Sequence, residues 1–238
     1  MKTIKSILKL LILTLAFTTV SCDDEPVDPA LDLSNGGGSS SGDYWPTAIN
    51  NEWIMERGGV ELDPIKIIGT GNFGGQTYYK FAPQSGSGST TSGSVTNWLN
   101  KSNGVYKLKT DDININAGGL TGTQTGYEFI ILKDNIAVGQ SWNGTYTQTT
   151  TFTGIPSITL TVNYTGTILA KNVSATVDGE TYNDVIKVSF VQNTLMPGAP
   201  PTTINSEYWF AKDVGVIKSI SNDSGTIYES ILVDYTLF

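Results

Sequence analysis

From residue 44 to the C-terminus, hydrophobic and polar positions alternate in short runs rich in Val, Ile, Thr, Tyr and Phe. A period of two places successive side chains on opposite faces of a strand, so the pattern predicts β-strands with one face buried. The clearest are Gly104 to Thr110 (GVYKLKT), Tyr127 to Lys133 (YEFIILK), Ser157 to Ala170, Asp184 to Gln192 (DVIKVSFVQ), Ser206 to Lys212, Gly215 to Ser221 and Thr226 to Leu237. Within DVIKVSFVQ, Ile186, Val188 and Phe190 share one face, and Lys187 and Ser189 share the other. Asn103-Gly104, Asn143-Gly144 and Asp178-Gly179 supply the positive φ of tight hairpins, and Asp223-Ser224-Gly225 can close the last one. No amphipathic stretch after Gly42 is long enough to be a crossover helix. The expected fold is all-β, an antiparallel meander forming an open half barrel or a β-sandwich, because a long sheet with one apolar face must curl or fold to cover it.

The N-terminus follows a different pattern. Lys2, Lys5 and Lys9 precede an apolar run, Leu10 to Phe17, broken only by Thr14. Such a run has signal-peptide length and is too short to span a bilayer. Thr18 to Cys22 (TTVSC) then resembles the lipobox cleaved by lipoprotein signal peptidase, with Thr19 where Leu is usual. The resemblance implies acylation of Cys22, palmitate included, and a mature chain held on the membrane by its lipid. Asp23, Asp24 and Glu25 follow at once, similar to the acidic export signal of Bacteroidota lipoproteins. That likeness implies display on the outer face of the outer membrane; a periplasm-facing lipoprotein is the alternative. Residues 1–21 are thus read as the signal, 22–43 as an acidic and Gly/Ser-rich tether, and 44–238 as a single β domain. About 20 residues of such coil carry the domain roughly 25 Å from its anchor.

Charge and composition narrow the chemistry. Loss of the three signal lysines leaves 11 basic and 22 acidic residues, a net charge of −11, which argues against nucleic acid as a partner. The chain has no histidine and a single cysteine, Cys22. These counts remove a Ser-His-Asp triad, a thiol nucleophile within the domain, a His/Cys zinc site and an intrachain disulfide. No cofactor and no metal are expected.

Several motifs have a plainer structural reading. Gly69-Thr70-Gly71-Asn72-Phe73-Gly74 matches the dinucleotide fingerprint in letters, but Gln76 to Phe81 after it reads as a strand where a helix is needed, so a hairpin loop is expected. Ser6 to Lys9 matches S-x-x-K inside the signal segment, a coincidence of letters. Asp112, Asn114 and Asn116 are spaced like a calcium loop, yet Ala117 and Thr123 stand where Gly and Glu are required. Strand alternation, with Ile113 and Ile115 inward, accounts for the same letters. Ser85 to Ser94 reads as a mobile rim loop, and Pro197, Pro200 and Pro201 mark an exposed one. Asp178, Glu180, Asp184, Glu207, Asp213, Asp223 and Glu229 sit beside turns or on later strands, with no recognisable pairing for glycoside hydrolysis. Among the tryptophans, Trp53, Trp142 and Trp209 fit an apolar core; Trp45 and Trp98 have more polar surroundings and are the candidates for exposed, ligand-stacking rings.

Tyr208-Trp209-Phe210-Ala211-Lys212-Asp213-Val214-Gly215-Val216-Ile217-Lys218, with the closing Leu232-Val233-Asp234-Tyr235, resembles a strand–turn–strand of secreted Bacteroidota lipoproteins of unknown function. Tyr44 to Thr47, Asn51 to Trp53, Asp134 to Trp142 and Val177 to Val188 extend the likeness over most of the domain. It implies a one-domain β lipoprotein, an open barrel like the periplasmic lipoprotein carriers, and brings no catalytic residues with it. The expected function is a non-enzymatic binding module for a glycan, lipid or protein ligand. A carboxylate-dependent glycoside hydrolase and a structural or secretion-accessory envelope protein are the alternatives.

Overall fold

The computed structural model of the chain describes residues 40–85, 94–117 and 120–238. Residues 1–39, with Cys22, Asp23, Asp24 and Glu25 among them, lie outside the described residues, as does 86–93 of the Ser-rich stretch. The first half contributes β1 (Glu52–Arg57), β2 (Val60–Glu61), β3 (Ile65–Phe73), β4 (Gln76–Phe81), the short pair β5 (Gln84–Ser85) and β6 (Ser94–Val95), β7 (Asn97–Ser102) and β8 (Val105–Thr110). A hairpin of β9 (Ile113–Ala117) and β10 (Leu120–Gln124) precedes β11 (Tyr127–Lys133). Longer strands follow: β12 (Ser141–Phe152), β13 (Ile155–Val177), β14 (Glu180–Leu195), β15 (Thr202–Ala211), β16 (Gly215–Asp223) and β17 (Thr226–Thr236).

All but β5 and β6 belong to one 15-stranded antiparallel sheet, ordered β11-β8-β7-β4-β3-β1-β17-β16-β15-β14-β13-β12-β10-β9, with β2 on β1. From β12 to β17 each strand pairs with the next, the meander that the alternation predicts. Asn103-Gly104 and Asp178-Gly179 take positive φ at both positions, the turn chemistry that two-residue hairpins need. Asn143-Gly144 does not turn: it lies inside β12. The fingerprint glycines are likewise mostly strand, since β3 runs through Phe73, the turn is Gly74-Gly75, and β4 follows with no helix N-terminus to hold a phosphate.

Two pairings depart from chain order. β17 pairs with β1, Tyr235 opposite Trp53, which seats the C-terminal strand beside the first. β11 returns to β8, Tyr127 opposite Thr110, while the hairpin between them crosses to β12, Gln124 opposite Thr150. The neck of that excursion is tied by the Gly126 N–H donating to Asp112 Oδ1 at 2.7 Å.

The sheet curls but is not closed into a barrel by strand pairing. At the seam, side chains of β12 and β13 take the place of a backbone ladder: Trp142 Nε1 donates to the Ile130 carbonyl (2.9 Å), and the Ile130 N–H donates to the Tyr164 hydroxyl (3.1 Å). Gly166 faces Trp142 and Gly144 faces Tyr164 across the β12–β13 ladder. A Cβ at either glycine would run into the opposing ring, so both rings lie against bare backbone. This close approach is why Asn143-Gly144 has a glycine in mid-strand.

The concave side is filled by rings in sequence. Tyr127 stacks on Tyr146 at 4.6 Å between centroids, Tyr164 on Phe190 at 5.3 Å, and the series continues through Tyr208 and Phe210 to Trp45 and Phe81. At the other margin, fully buried Asp134 fixes the start of the domain. Its carboxylate accepts from Ser40 Oγ (2.7 Å), the Tyr106 hydroxyl (3.1 Å) and the Ser41 N–H (3.3 Å), and Lys171 Nζ bonds its backbone oxygen (2.6 Å).

Candidate functional site

Where β9, β10 and β12 lie side by side, they form an open groove of about 520 Å³. Register places Ile115, Gly122 and Phe152 in one row across the three strands. Asn114, Asn116, Thr121, Thr123, Thr151 and Thr153 complete the lining, so no residue lining the groove carries a charge. Gln124 and Thr150, directly opposite each other, and then Gln148 continue the inward row of Gly122 and Phe152, on the face opposite to Thr123 and Thr151. All three are buried. Asn114, Asn116, Thr121, Thr123 and Thr151 are exposed and alternate with the buried Ile115 and Phe152, so the groove offers hydroxyls and amides on the solvent side of the sheet, an uncharged polar surface.

Neither candidate stacking tryptophan is exposed. Trp45, at 7% exposure, lies in the core 5.7 Å from Phe81 and 6.0 Å from Phe210. Trp98, at 9%, is on the opposite face of its strand from the core residue Leu99, yet is covered by Phe73 (5.0 Å, edge-on) and approached by Lys80. Its polar neighbours are partners, not solvent: Trp98 Nε1 donates to Asp111 Oδ2 at 2.8 Å. Burial works to raise the Asp111 pKa, but the bonds from Lys109 and Trp98 outweigh it and hold the carboxyl below its usual value. Trp53 and Trp142 are core residues as expected. Trp209 differs: it is only partly buried, with Lys187 Nζ 3.7 Å and Lys218 Nζ 4.9 Å from the ring centre.

The acidic residues do not gather in the groove. Asp178 and Asp213 occupy positive-φ positions, and Glu180 accepts from the Tyr182 hydroxyl. Of the acids named from the sequence, Glu207 and Glu229 both register with Ile220, one on each side. That arrangement is two strand spacings, roughly 9.6 Å. Glu207 accepts from Trp209 Nε1, and Glu229 pairs with Lys218 at 2.8 Å. The calcium-like spacing is strand alternation: Ile115 is buried, Asn114 and Asn116 are exposed, and Asp112 is engaged at the neck. Among the described residues no group of three or more Asp, Glu, His or Cys is placed to hold a metal ion.

The groove, and the row of buried amides on the other face of the same strands, were not legible from sequence. One signal was present in β12, where the inward positions read Trp142, Gly144, Tyr146, Gln148, Thr150, Phe152, with two polar side chains in an otherwise apolar or aromatic row.

Fold and groove together define a class: an all-β protein built on one curled, unclosed antiparallel sheet with an uncharged surface cleft. Its structure is similar to that of a protein assigned as a lipoprotein in Parabacteroides distasonis, with TM-score 0.51 and 10% identity over 84% of this chain and 99% of that one. An exported protein with a YmcC-like fold from Bacteroides fragilis aligns with TM-score 0.44 and 8% identity, over 82% of this chain and 100% of that one. At such identities the first likeness speaks for the fold alone. No family model matches the sequence, and no curated protein does.

Proposed function

We propose that the chain is a lipid-anchored cell-envelope lipoprotein whose β domain acts as a non-enzymatic binding module. The observation that carries this reading is the groove of β9, β10 and β12: about 520 Å³, walled by the exposed amides and hydroxyls of Asn114, Asn116, Thr121, Thr123 and Thr151, with no carboxylate among its lining residues. Binding needs such a surface; hydrolysis of a glycoside needs two carboxyls on either side of the bond. The anchor rests on the n-region, the short apolar run and Cys22, and surface display rests on Asp23, Asp24 and Glu25. The Parabacteroides distasonis lipoprotein of similar fold supports an envelope location.

Two measurements test the reading. Labelled palmitate should enter the wild-type chain and not Cys22→Ala; labelling of both would remove the anchor. For the domain, the full chain in mild detergent is incubated with envelope lipid extract and with a panel of glycans, native mass spectrometry follows retained ligands, and chromatography follows substrate breakdown. A retained, unaltered ligand is expected. Turnover that vanishes in Glu207→Gln or Glu229→Gln would replace the binding module with the hydrolase.

A further inference from the structure

The order of the large sheet ends in two strands, β11 and β9, and they are finished differently. The far side of β11 is taken at the seam, where Ile130 bonds both Trp142 and Tyr164. β9 pairs with β10 on one side; on the other no strand pairs with it among the described residues, although β6 comes near. Such an edge presents a row of unpaired N–H and C=O groups, and proteins usually guard it with lysine, proline or a bulge. β9, Ile113-Asn114-Ile115-Asn116-Ala117, has none of these, and its register with β10 is unbroken. Asn114 and Asn116 are exposed, and Ile115, at 6% exposure, faces inward. The chain around this edge is also free of charge: residues 113–127 and 135–170 contain no Asp, Glu, Lys or Arg, in a molecule with 22 acidic residues.

We infer that β9 pairs with β9 of a second copy of this chain, making a closed antiparallel dimer. This goes beyond the binding-module reading and does not depend on it. The strand is a palindrome in character about Ile115. A two-fold axis normal to the sheet at that residue sets Ile115 against Ile115 of the other copy, Ile113 against Ala117 and Asn114 against Asn116. Directly opposite residues share a face, so apolar side chains meet inward, and amides that can both donate and accept meet outward. Asp112, the nearest charge, is three residues from the axis and about 20 Å from its mate, so two acidic chains meet here with no like charges face to face. An open filament would need a second free edge for β9 to join. β11 does not supply it, and the part of β17 that overhangs β1 is headed by Arg57, which bonds Ser230 at 2.9 Å and lies over Tyr228. Pairing therefore closes on itself. The two-fold keeps each outward face outward, so the groove walls of the two copies meet, Asn114 beside Asn116, in one uncharged strip.

The test is sedimentation equilibrium of the full chain in density-matched mild detergent, with micelles in excess over chains. A concentration-dependent dimer is expected at about 10–100 µM chain, the range of a small hydrogen-bonded interface. The double variant Asn114→Lys, Asn116→Lys sets lysine against lysine at both outward pairs, and Asn114→Glu, Asn116→Glu sets glutamate against glutamate. Each alone should weaken association at least about tenfold. Both positions are exposed, so circular dichroism and the thermal midpoint should stay as in wild type. An equimolar mixture of the two variants should regain the dimer, because every lysine then faces a glutamate. Hydrogen exchange on the wild-type chain keeps the test decisive if a variant does not fold: amides of residues 113–117 should exchange more slowly at about 100 µM than at about 1 µM. A wild-type chain that is monomeric at about 100 µM, exchange that ignores concentration, variants as dimeric as wild type, a mixture no better than its components, or assembly past the dimer would each overturn the inference. None of these outcomes bears on labelling of Cys22 or on ligand retention, so the dimer and the binding module fail separately.

Discussion

Strand β12 presents uncharged polar side chains to both sides of the sheet, and the two sides treat them differently. Outward, Asn143 accepts from Thr165 (2.7 Å), Thr145 donates to Asn163 (2.8 Å), and Thr149 and Thr151 meet Thr159 and Ser157 at 2.9 and 3.0 Å. Inward, Gln148 Oε1 and Thr150 Oγ1 are buried without a described partner. Outward hydroxyls have water as an alternative, so their cross-strand bonds contribute only tenths of a kcal/mol each. Inward groups have no such alternative, and each unpaired atom costs about 1–3 kcal/mol. The outward face is thus cheap decoration, and the inward row is an expense that folding alone does not explain.

The sharpest way to break the inward face is alkali. Burial, foremost, raises the pKa of Tyr106, Tyr127, Tyr146 and Tyr208 above the ordinary value of 10. A raised folded pKa means that the stabilisation is fully present below about pH 10 and is lost as pH climbs through the folded values. With no histidine, stability should be nearly flat between about pH 6 and 9. Unfolding should then set in above about pH 10, with phenolate absorbance rising in step with the loss of sheet circular dichroism. Phenolates that appear well before unfolding would show that the rings are solvated.

Next in size is Trp142→Ala, which empties an inward position and removes the bond that holds β11 at the seam. It should cost about 3–5 kcal/mol in urea unfolding. A cost under about 1 kcal/mol would mean that the seam is not held by this ring.

Gln148→Leu reverses the sign. It replaces an unpaired buried amide oxygen by methyl groups of similar volume and should raise the unfolding free energy by about 1 kcal/mol. A fall of that size would place a structural partner at Gln148 and blur the contrast between the faces. The smallest effect is expected outward, where Thr149→Val should stay within about 0.5 kcal/mol of wild type.

Much of this fold was legible in the chain. The seven clearest strands all lie within or nearly coincide with observed ones, and the meander from β12 to β17 follows from hairpin turns that are local in sequence. Asn143-Gly144 misled because glycine serves two ends: it permits a turn, and it also permits a ring to lie on the backbone. Trp45 and Trp98 misled because a polar neighbourhood in sequence says nothing about whether the polar groups face water or the indole. In Trp98 they face the indole, through Asp111 and Lys80.

By itself, the sequence determined the strands, the faces most of them bury, and the missing histidine and thiol chemistry of residues 44–238. Alternation and turn chemistry act over a few residues and need no knowledge of a partner strand. The tertiary structure alone decided that the β9–β10 hairpin leaves the chain order to pair with β12, which sets Gln124 opposite Thr150 on the inward face and forms the groove on the outward one. It also decided that Trp142 and Tyr164 latch the seam and that Asp134 is the buried acid that receives Ser40 and Ser41. Each of these depends on residues far apart in sequence, and local periodicity carries no information on which edges will meet.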